Sequence, residues 1–235
     1  LIGNAMTSQS LEILHRDTLT EGGFAGLKEH RLVTGKKLWG DRANPDAWDG
    51  IGNFVYLADA RFNPKGETTM HPHKEIDVIS VMVEGRVAHQ GSLEHGGSLD
   101  TNDAQVQRAG GEGFKHNEVN PDDTKNRMLQ LWVMPEVKGE PAGYKKFSPA
   151  WGETVRIYGG LPDHTQSFSA KTTIDVAMLT AGQSIEVTAP YLAYVAKGDG
   201  QFETTDLTGG DLIRGANGTF TATTDVQFIL VGTLA

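Results

Sequence analysis

The sequence predicts an all-β protein made of two similar β-barrels. Short β-branched and aromatic runs recur between turn residues, long amphipathic helical patterns are not apparent, and one strand–glycine–strand unit occurs in each half of the 235 residues.

The runs are Ile51 to Leu57 (IGNFVYL), Val78 to Val83 (VISVMV), Met128 to Val133 (MLQLWV), Thr173 to Leu179 (TIDVAML), Tyr191 to Ala196 (YLAYVA) and Val226 to Val231 (VQFILV). Gly, Pro, Asn or Asp bounds them, residues that stop strands and build turns. Glycine is abundant, 29 in all, and Glu84-Gly85, Gly96-Gly97, Gly110-Gly111 and Gly209-Gly210 fall at spacings that suit a sandwich or barrel. A helical turn or two is expected near Pro45 to Trp48.

Val78 to His89 (VISVMVEGRVAH) and Tyr191 to Phe202 (YLAYVAKGDGQF) share an apolar run, a charged residue, a turn glycine and a second strand, placing Gly85 against Gly198. A short strand follows in each half, Asn102 to Arg108 and Gly210 to Arg214. Pro135 to Trp151, with three prolines and two glycines, reads as an ordered crossover. The expected division is a first barrel over residues 6–135, a crossover over 136–151 and a second barrel over 152–235. Leu1 to Ala5 precede Met6 and are expected to be an added leader outside the fold.

Composition limits the function classes. A hydrophobic fraction of 38% suffices for an ordinary core, and the absence of cysteine excludes disulfides, thiolate metal sites and a cysteine nucleophile. A net charge of -9 argues against broad attraction to nucleic acid or anionic membrane, and no window holds the roughly 18 apolar residues of a membrane span. A cytoplasmic, monomeric protein with no nucleic-acid or membrane partner is the expectation; a protein partner is not identifiable.

The chemistry concentrates between His71 and Glu118. His71-Pro72-His73 opens this stretch and His116-Asn117-Glu118 closes it, with 42 residues between His73 and His116. On a strand, residues i and i+2 share a face, so each triplet can aim two ligand atoms inward. Three imidazoles and a carboxylate suit iron, manganese, nickel, copper or zinc. They leave a divalent ion with a residual charge of about +1, able to take an anionic enolate without full neutralisation. Counting back from Gly198 as His71 and His73 lie from Gly85 gives Ser184 and Glu186, and no histidine follows His164. The metal is therefore expected in the first barrel, with the second degenerate.

The other histidines have plainer readings. His15, His30, His95 and His164 suit solvated or core positions, and His89 a surface or cavity wall. Packing explains Trp132 and Met134, with a substrate-pocket wall as the minority reading. Glu75 and Lys74 suit a solvated loop, with a contact to His73 as the other possibility. The Gly110-Gly111-x-Gly113 run lacks the helix and Lys-Ser/Thr of a phosphate loop and reads as the turn presenting His116.

Gly66, His71-Pro72-His73, Asp77 and Gly85 look like the first cupin motif, and Gly113, His116 and Asn120 like the second. Met70 to Gly85 (MHPHKEIDVISVMVEG), Val87 to Ser92, Ala109 to Glu118 (AGGEGFKHNE) and Leu131 to Pro135 (LWVMP) are similar in order and spacing to the pirin family of bicupins. The similarity is strongest over residues 51–150. It implies two cupin barrels, with one metal held in the N-terminal barrel by His71, His73, His116 and Glu118. Asp77 stands where that family usually has Glu. The resemblance also implies oxygen-dependent cleavage of a flavonol such as quercetin, with iron as the metal and zinc, manganese, nickel and copper as alternatives.

In that reaction Glu118 is the candidate general base as well as a ligand. The alternative is a non-catalytic, metal-dependent regulatory or redox-sensing protein using the second barrel as a partner surface. A zinc isomerase or hydrolase is a third reading, since the same ligands accept zinc.

Overall fold

The computed structural model describes residues 10–92, 97–163 and 165–235, so the expectations for Leu1 to Ala5, His95, Gly96 and His164 fall outside the described residues. In chain order the strands are β1 (Glu12–His15), β2 (Gly22–Phe24), β3 (Leu27–Thr34), β4 (Phe54–Phe62), β5 (His71–His73), β6 (Asp77–Glu84), β7 (Val87–Gly91), β8 (Ser98–Leu99), β9 (Ala104–Arg108), β10 (Phe114–Val119) and β11 (Arg127–Val133). The chain continues with β12 (Gly143–Phe147), β13 (Thr154–Gly160), β14 (Ala170–Leu179), β15 (Ser184–Val187), β16 (Leu192–Lys197), β17 (Asp199–Phe202), β18 (Thr205–Thr208), β19 (Asp211–Arg214), β20 (Gly218–Ala222) and β21 (Val226–Thr233). All six runs named from sequence lie on strands or directly abut them. The helical turn differs: helix α1 spans Lys36–Trp39, followed by a 3-10 turn at Gly40–Arg42, whereas Pro45 to Ala47 form a non-helical turn.

The described strands form four sheets in two matching pairs. The larger sheets run β12-β9-β6-β11-β4-β3-β2 and β1-β19-β16-β21-β14-β13; the smaller run β5-β10-β7-β8 and β15-β20-β17-β18. Strand for strand, β6, β7, β10 and β11 correspond to β16, β17, β20 and β21. The duplicated unit is a two-sheet barrel, as in a bicupin. Gly85 and Gly198 both take positive φ, +68° and +93°, at the turn joining the sheets of each barrel.

An edge strand crosses between the halves. β1 pairs with β19, so the beginning of the chain completes the second barrel's sheet, while β12, within 136–151, pairs with β9 of the first. Such pairings join residues up to 202 positions apart, as in the Arg214–Glu12 hydrogen bond, and no local pattern encodes them.

The large sheets face each other. Ile79, Val81, Leu129 and Leu131 from the first pack with Ile174, Val176, Leu192 and Ile229 from the second in one buried cluster. Strands β4 and β6 are buried on both faces and read as near-continuous apolar runs for that reason. Asp77 faces this interface, accepting from Arg108 at 3.0 Å and from the Tyr158 hydroxyl at 2.6 Å. It is a clamp between the barrels.

Candidate metal centre

The interiors of the two barrels differ. In the second, Phe202, Phe220, Phe228, Val187 and their neighbours form one continuous apolar cluster. In the first, two smaller clusters, around Phe62 and Met128 and around Val78 and Phe114, leave a polar layer between them.

β5 and β10 build this layer. They pair antiparallel with His71 opposite His116 and His73 opposite Phe114. Alternation then turns Phe114, His116 and Glu118 inward, all buried. Gly113 makes the approach possible: its φ is +73°, and a Cβ there would lie 2.7 Å from the His73 carbonyl oxygen. Gly110 also takes positive φ, so the glycine run is the turn leading into β10. Glu75 accepts from the Gly139 N–H at 2.9 Å, tying this turn to the crossover instead of touching His73.

The imidazoles converge. His116 Nε2 lies 2.7 Å from His71 Nε2 and 3.2 Å from His73 Nε2. Their outer nitrogens fix the tautomers: His71 Nδ1 donates to the Thr69 carbonyl at 2.9 Å and His116 Nδ1 to Gln107 Oε1 at 3.0 Å. With the protons on Nδ1, the Nε2 lone pairs of His71 and His116 point at one another, the form in which imidazole serves as a metal ligand. Burial makes the neutral form the stable one, pushing His73 down to about 4 and His116 down to about 3.

Glu118 joins from the side. Its Oε1 is 3.6 Å from His116 Nε2 and accepts from Gln130 Nε2 at 3.0 Å. Its Oε2 is buried with no hydrogen-bond partner among the described residues, 3.4 Å from His89 Nε2. Burial pushes the carboxyl up, but the approach of His89 and His116 and the Gln130 bond outweigh it and take the pKa to about 2. Two donor groupings result, sharing His116: His71, His73 and His116, and His89, His116 and Glu118. The converging lone pairs and the orphaned carboxylate oxygen fit a divalent transition metal, an electron-pair acceptor that would satisfy both.

His89 is more than a cavity wall. It is 6% exposed, and Gln105 Nε2 meets its Nε2 at 2.7 Å. Gln105, Gln107 and Gln130 were not singled out from sequence, although each is a polar residue alternating with apolar ones on a strand. Gln105 and Gln107 are buried, so in a barrel their inward turn marks a polar interior. His15 instead pairs with Asp211 and His30 lies near Glu21, away from the centre.

Strand pairing shows why the second barrel has no equivalent among the described residues. Glu118 pairs with His89 and, from the matching turn glycines, Phe220 pairs with Phe202. His116 then corresponds to Gly218, and His71 to Val187 through β15. A Cβ on Gly218 would meet the Phe202 ring at 2.7 Å, so phenylalanine fills the ligand space. Ser184 and Glu186, reached by direct counting, are three positions out of this register and exposed.

Beside the histidines lies a cavity of about 200 Å³, bordered by Phe24, Leu27, Phe62, Met128, Tyr56 and Trp132 among others. Tyr56 and Trp132 stack at 4.3 Å, and Trp132 meets His73 edge-on at 5.7 Å. Trp132 is therefore a pocket wall, whereas Met134 packs against the cluster around Val78 and Phe114.

Residues 42–133 match the family model described as Pirin. A protein named quercetin 2,3-dioxygenase from Escherichia coli is 34% identical over 77 residues, 32% of this chain and 33% of the relative. A pirin-like protein of Caulobacter vibrioides is 30% identical over 120 residues, 48% of this chain and 51% of the relative. The matched stretches thus span about half or less of these curated relatives. In fold, the chain is similar to a bacterial pirin from Escherichia coli in complex with nickel(II), with TM-score 0.78 and 18% identity over 94% of this chain and 98% of that one. It is also similar to a quercetin 2,3-dioxygenase from Acinetobacter baumannii, with TM-score 0.70 and 20% identity over 97% and 87% of the two chains. No helix among the described residues is long and apolar enough to cross a membrane. The family match falls on the strands that carry the histidines, the sequence relatives share that stretch, and over it the chain is similar to the pirin family.

Proposed function

We propose that this chain is a metal-dependent dioxygenase that opens the heterocyclic ring of a flavonol such as quercetin, taking up dioxygen and releasing carbon monoxide. The convergence of three imidazole nitrogens beside an aromatic-walled cavity carries the reading. The names of the sequence relatives support it. His71, His73, His116 and Glu118 would hold the metal, iron on this reading, with zinc, manganese, nickel or copper as alternatives. When bound, such an ion supplies Lewis acidity toward an enolate oxygen and access to dioxygen.

The side chains do the rest. Tyr56, Trp132 and Phe62 pack against a flat ring and exclude water from it. Glu118 is ionised at neutral pH and takes the proton of the substrate 3-hydroxyl at Oε2, the oxygen with no hydrogen-bond partner. Gln130 holds Oε1 and leaves Oε2 to act. A cytoplasmic monomer is the setting this reading takes from the acidic, cysteine-free composition.

Oxygen uptake and carbon monoxide release with quercetin, measured on protein reconstituted separately with each of the five metals, test the proposal. No uptake with any of them counts against it. A non-catalytic, metal-dependent regulator is the second reading, favoured by a second barrel whose interior is closed by Phe202, Phe220 and Phe228. Stoichiometric metal binding without turnover of any flavonol would support that one.

A further inference from the structure

The cavity contains a second polar group, away from the histidines. β3 places Leu27, Glu29 and Arg31 on one face, and all three border the cavity. Glu29 is 3% exposed, yet it is a carboxylate among Leu27, Phe62 and Tyr56. Arg31 Nε donates to its Oε1 at 2.8 Å, and the Tyr56 hydroxyl donates to its Oε2 at 3.1 Å.

Stability does not account for this pair. An ion pair with one half-exposed partner contributes little compared with apolar side chains of the same volume. Leucine at position 29 would continue the apolar wall. The pair also has unused capacity: an ionised carboxylate offers about four acceptor sites and a guanidinium five donors. Glu29 uses two of its sites among the described residues; Arg31 gives Nε to Glu29, its guanidinium carbon lies 5.8 Å from the centre of the Tyr56 ring, and its side chain is half-exposed. An acceptor and a donor therefore stand side by side with zero net charge.

We propose that Glu29 and Arg31 select flat aromatic ligands carrying vicinal hydroxyl groups at the end remote from the histidines. One hydroxyl donates to Glu29 and its neighbour accepts from Arg31, a match that neither an anion nor an unsubstituted ring can make. An anionic group would meet the Glu29 carboxylate, and a bare ring would cover the remaining acceptor sites of Glu29 and donors of Arg31 without giving them partners. The path between the two polar ends is aromatic: His73 touches Trp132, Trp132 stacks on Tyr56, and the Tyr56 hydroxyl reaches Glu29. A flat ligand lying along that wall with one oxygen at the histidines directs its far ring to Glu29 and Arg31. The inference rests on the cavity being the substrate site and names the substrate class for it.

Binding to metal-free protein separates this inference from the catalytic one. Tryptophan fluorescence quenching is titrated with quercetin, which bears vicinal hydroxyls on its pendant ring, and with galangin, the flavonol lacking them. Quercetin is expected to bind the natural chain about tenfold more tightly, the effect of one to two net hydrogen bonds. Arg31→Met and Glu29→Gln should each bring the ratio to about twofold or less, by weakening quercetin binding while galangin binding stays equal or tightens. Equal affinities in the natural chain, or an undiminished preference in Arg31→Met, overturn the inference. If neither flavonol binds the metal-free protein, this inference falls, while oxygen uptake by the loaded protein still decides the dioxygenase reading. A preserved preference without oxygen uptake in loaded protein would remove the dioxygenase reading alone.

Discussion

Gln130 donates to Glu118 at 3.0 Å, and Trp132 determines which end of the amide does so: the indole N–H can only donate, and it meets Gln130 Oε1 at 3.2 Å. The amide N–H is thereby turned to the buried carboxylate, linking the aromatic wall to the candidate metal centre.

Gln130→Leu breaks that link. Loss of a partner that orients a ligand typically lowers metal affinity about 10- to 100-fold, and the same is expected here. Competition with a chromophoric chelator measures it; unchanged affinity would show that the Glu118 carboxylate does not take part in binding.

Glu118→Gln tests the base role separately. The variant should retain metal, held by the three histidines, while losing flavonol turnover. Stopped turnover with retained metal is read from oxygen uptake and metal content on the same sample, and full activity would remove Glu118 as the base.

The metal-free protein should lose stability in mild acid. His73 and His116 are held neutral by burial, at about 4 and about 3, whereas an unfolded histidine titrates near ~6.5. Between those limits the unfolded chain binds more protons than the folded one. This contribution is fully present above about pH 6.5 and falls as pH is lowered toward about 4, by about 1.4 kcal/mol per pH unit for each histidine. Urea unfolding at stepped pH measures the slope, which should be shallower in His116→Phe.

Much of this centre is visible in sequence because strand alternation is local. His71 and His73, like His116 and Glu118, are two apart, and that spacing alone puts each pair on one face. His89 and the glutamines were missed because a lone polar residue on a strand looks solvated until barrel closure turns it inward. Direct counting from Gly198 reached Ser184 and Glu186, since the loops before the two turns differ in length; only pairing gives Gly218 and Phe220. The role of Asp77 and the exchange of β1 and β12 depend on contacts between barrels, which no window of sequence contains.

The barrels should depend on Asp59 for their association. It is fully buried, pairs with Arg127 at 2.8 and 2.6 Å and with Arg16 at 3.1 Å, and accepts from Tyr194 of the second barrel. Burial pushes its carboxyl up, but the hydrogen bond and charge of Arg127, with Tyr194 and Arg16, hold it below the usual range. Asp59→Ala leaves Arg127 buried without its partner and should cost about 3–5 kcal/mol in denaturant unfolding. Asp59→Leu combined with Arg127→Met should cost clearly less.

Metal content tests the central claim most directly. After loading with iron(II) or nickel(II) and removal of free ion, elemental analysis should find one equivalent per chain. His116→Ala, which removes the imidazole common to both donor groupings, should retain almost none while keeping a native circular dichroism spectrum. One full equivalent in folded His116→Ala protein would place the metal elsewhere and contradict the account.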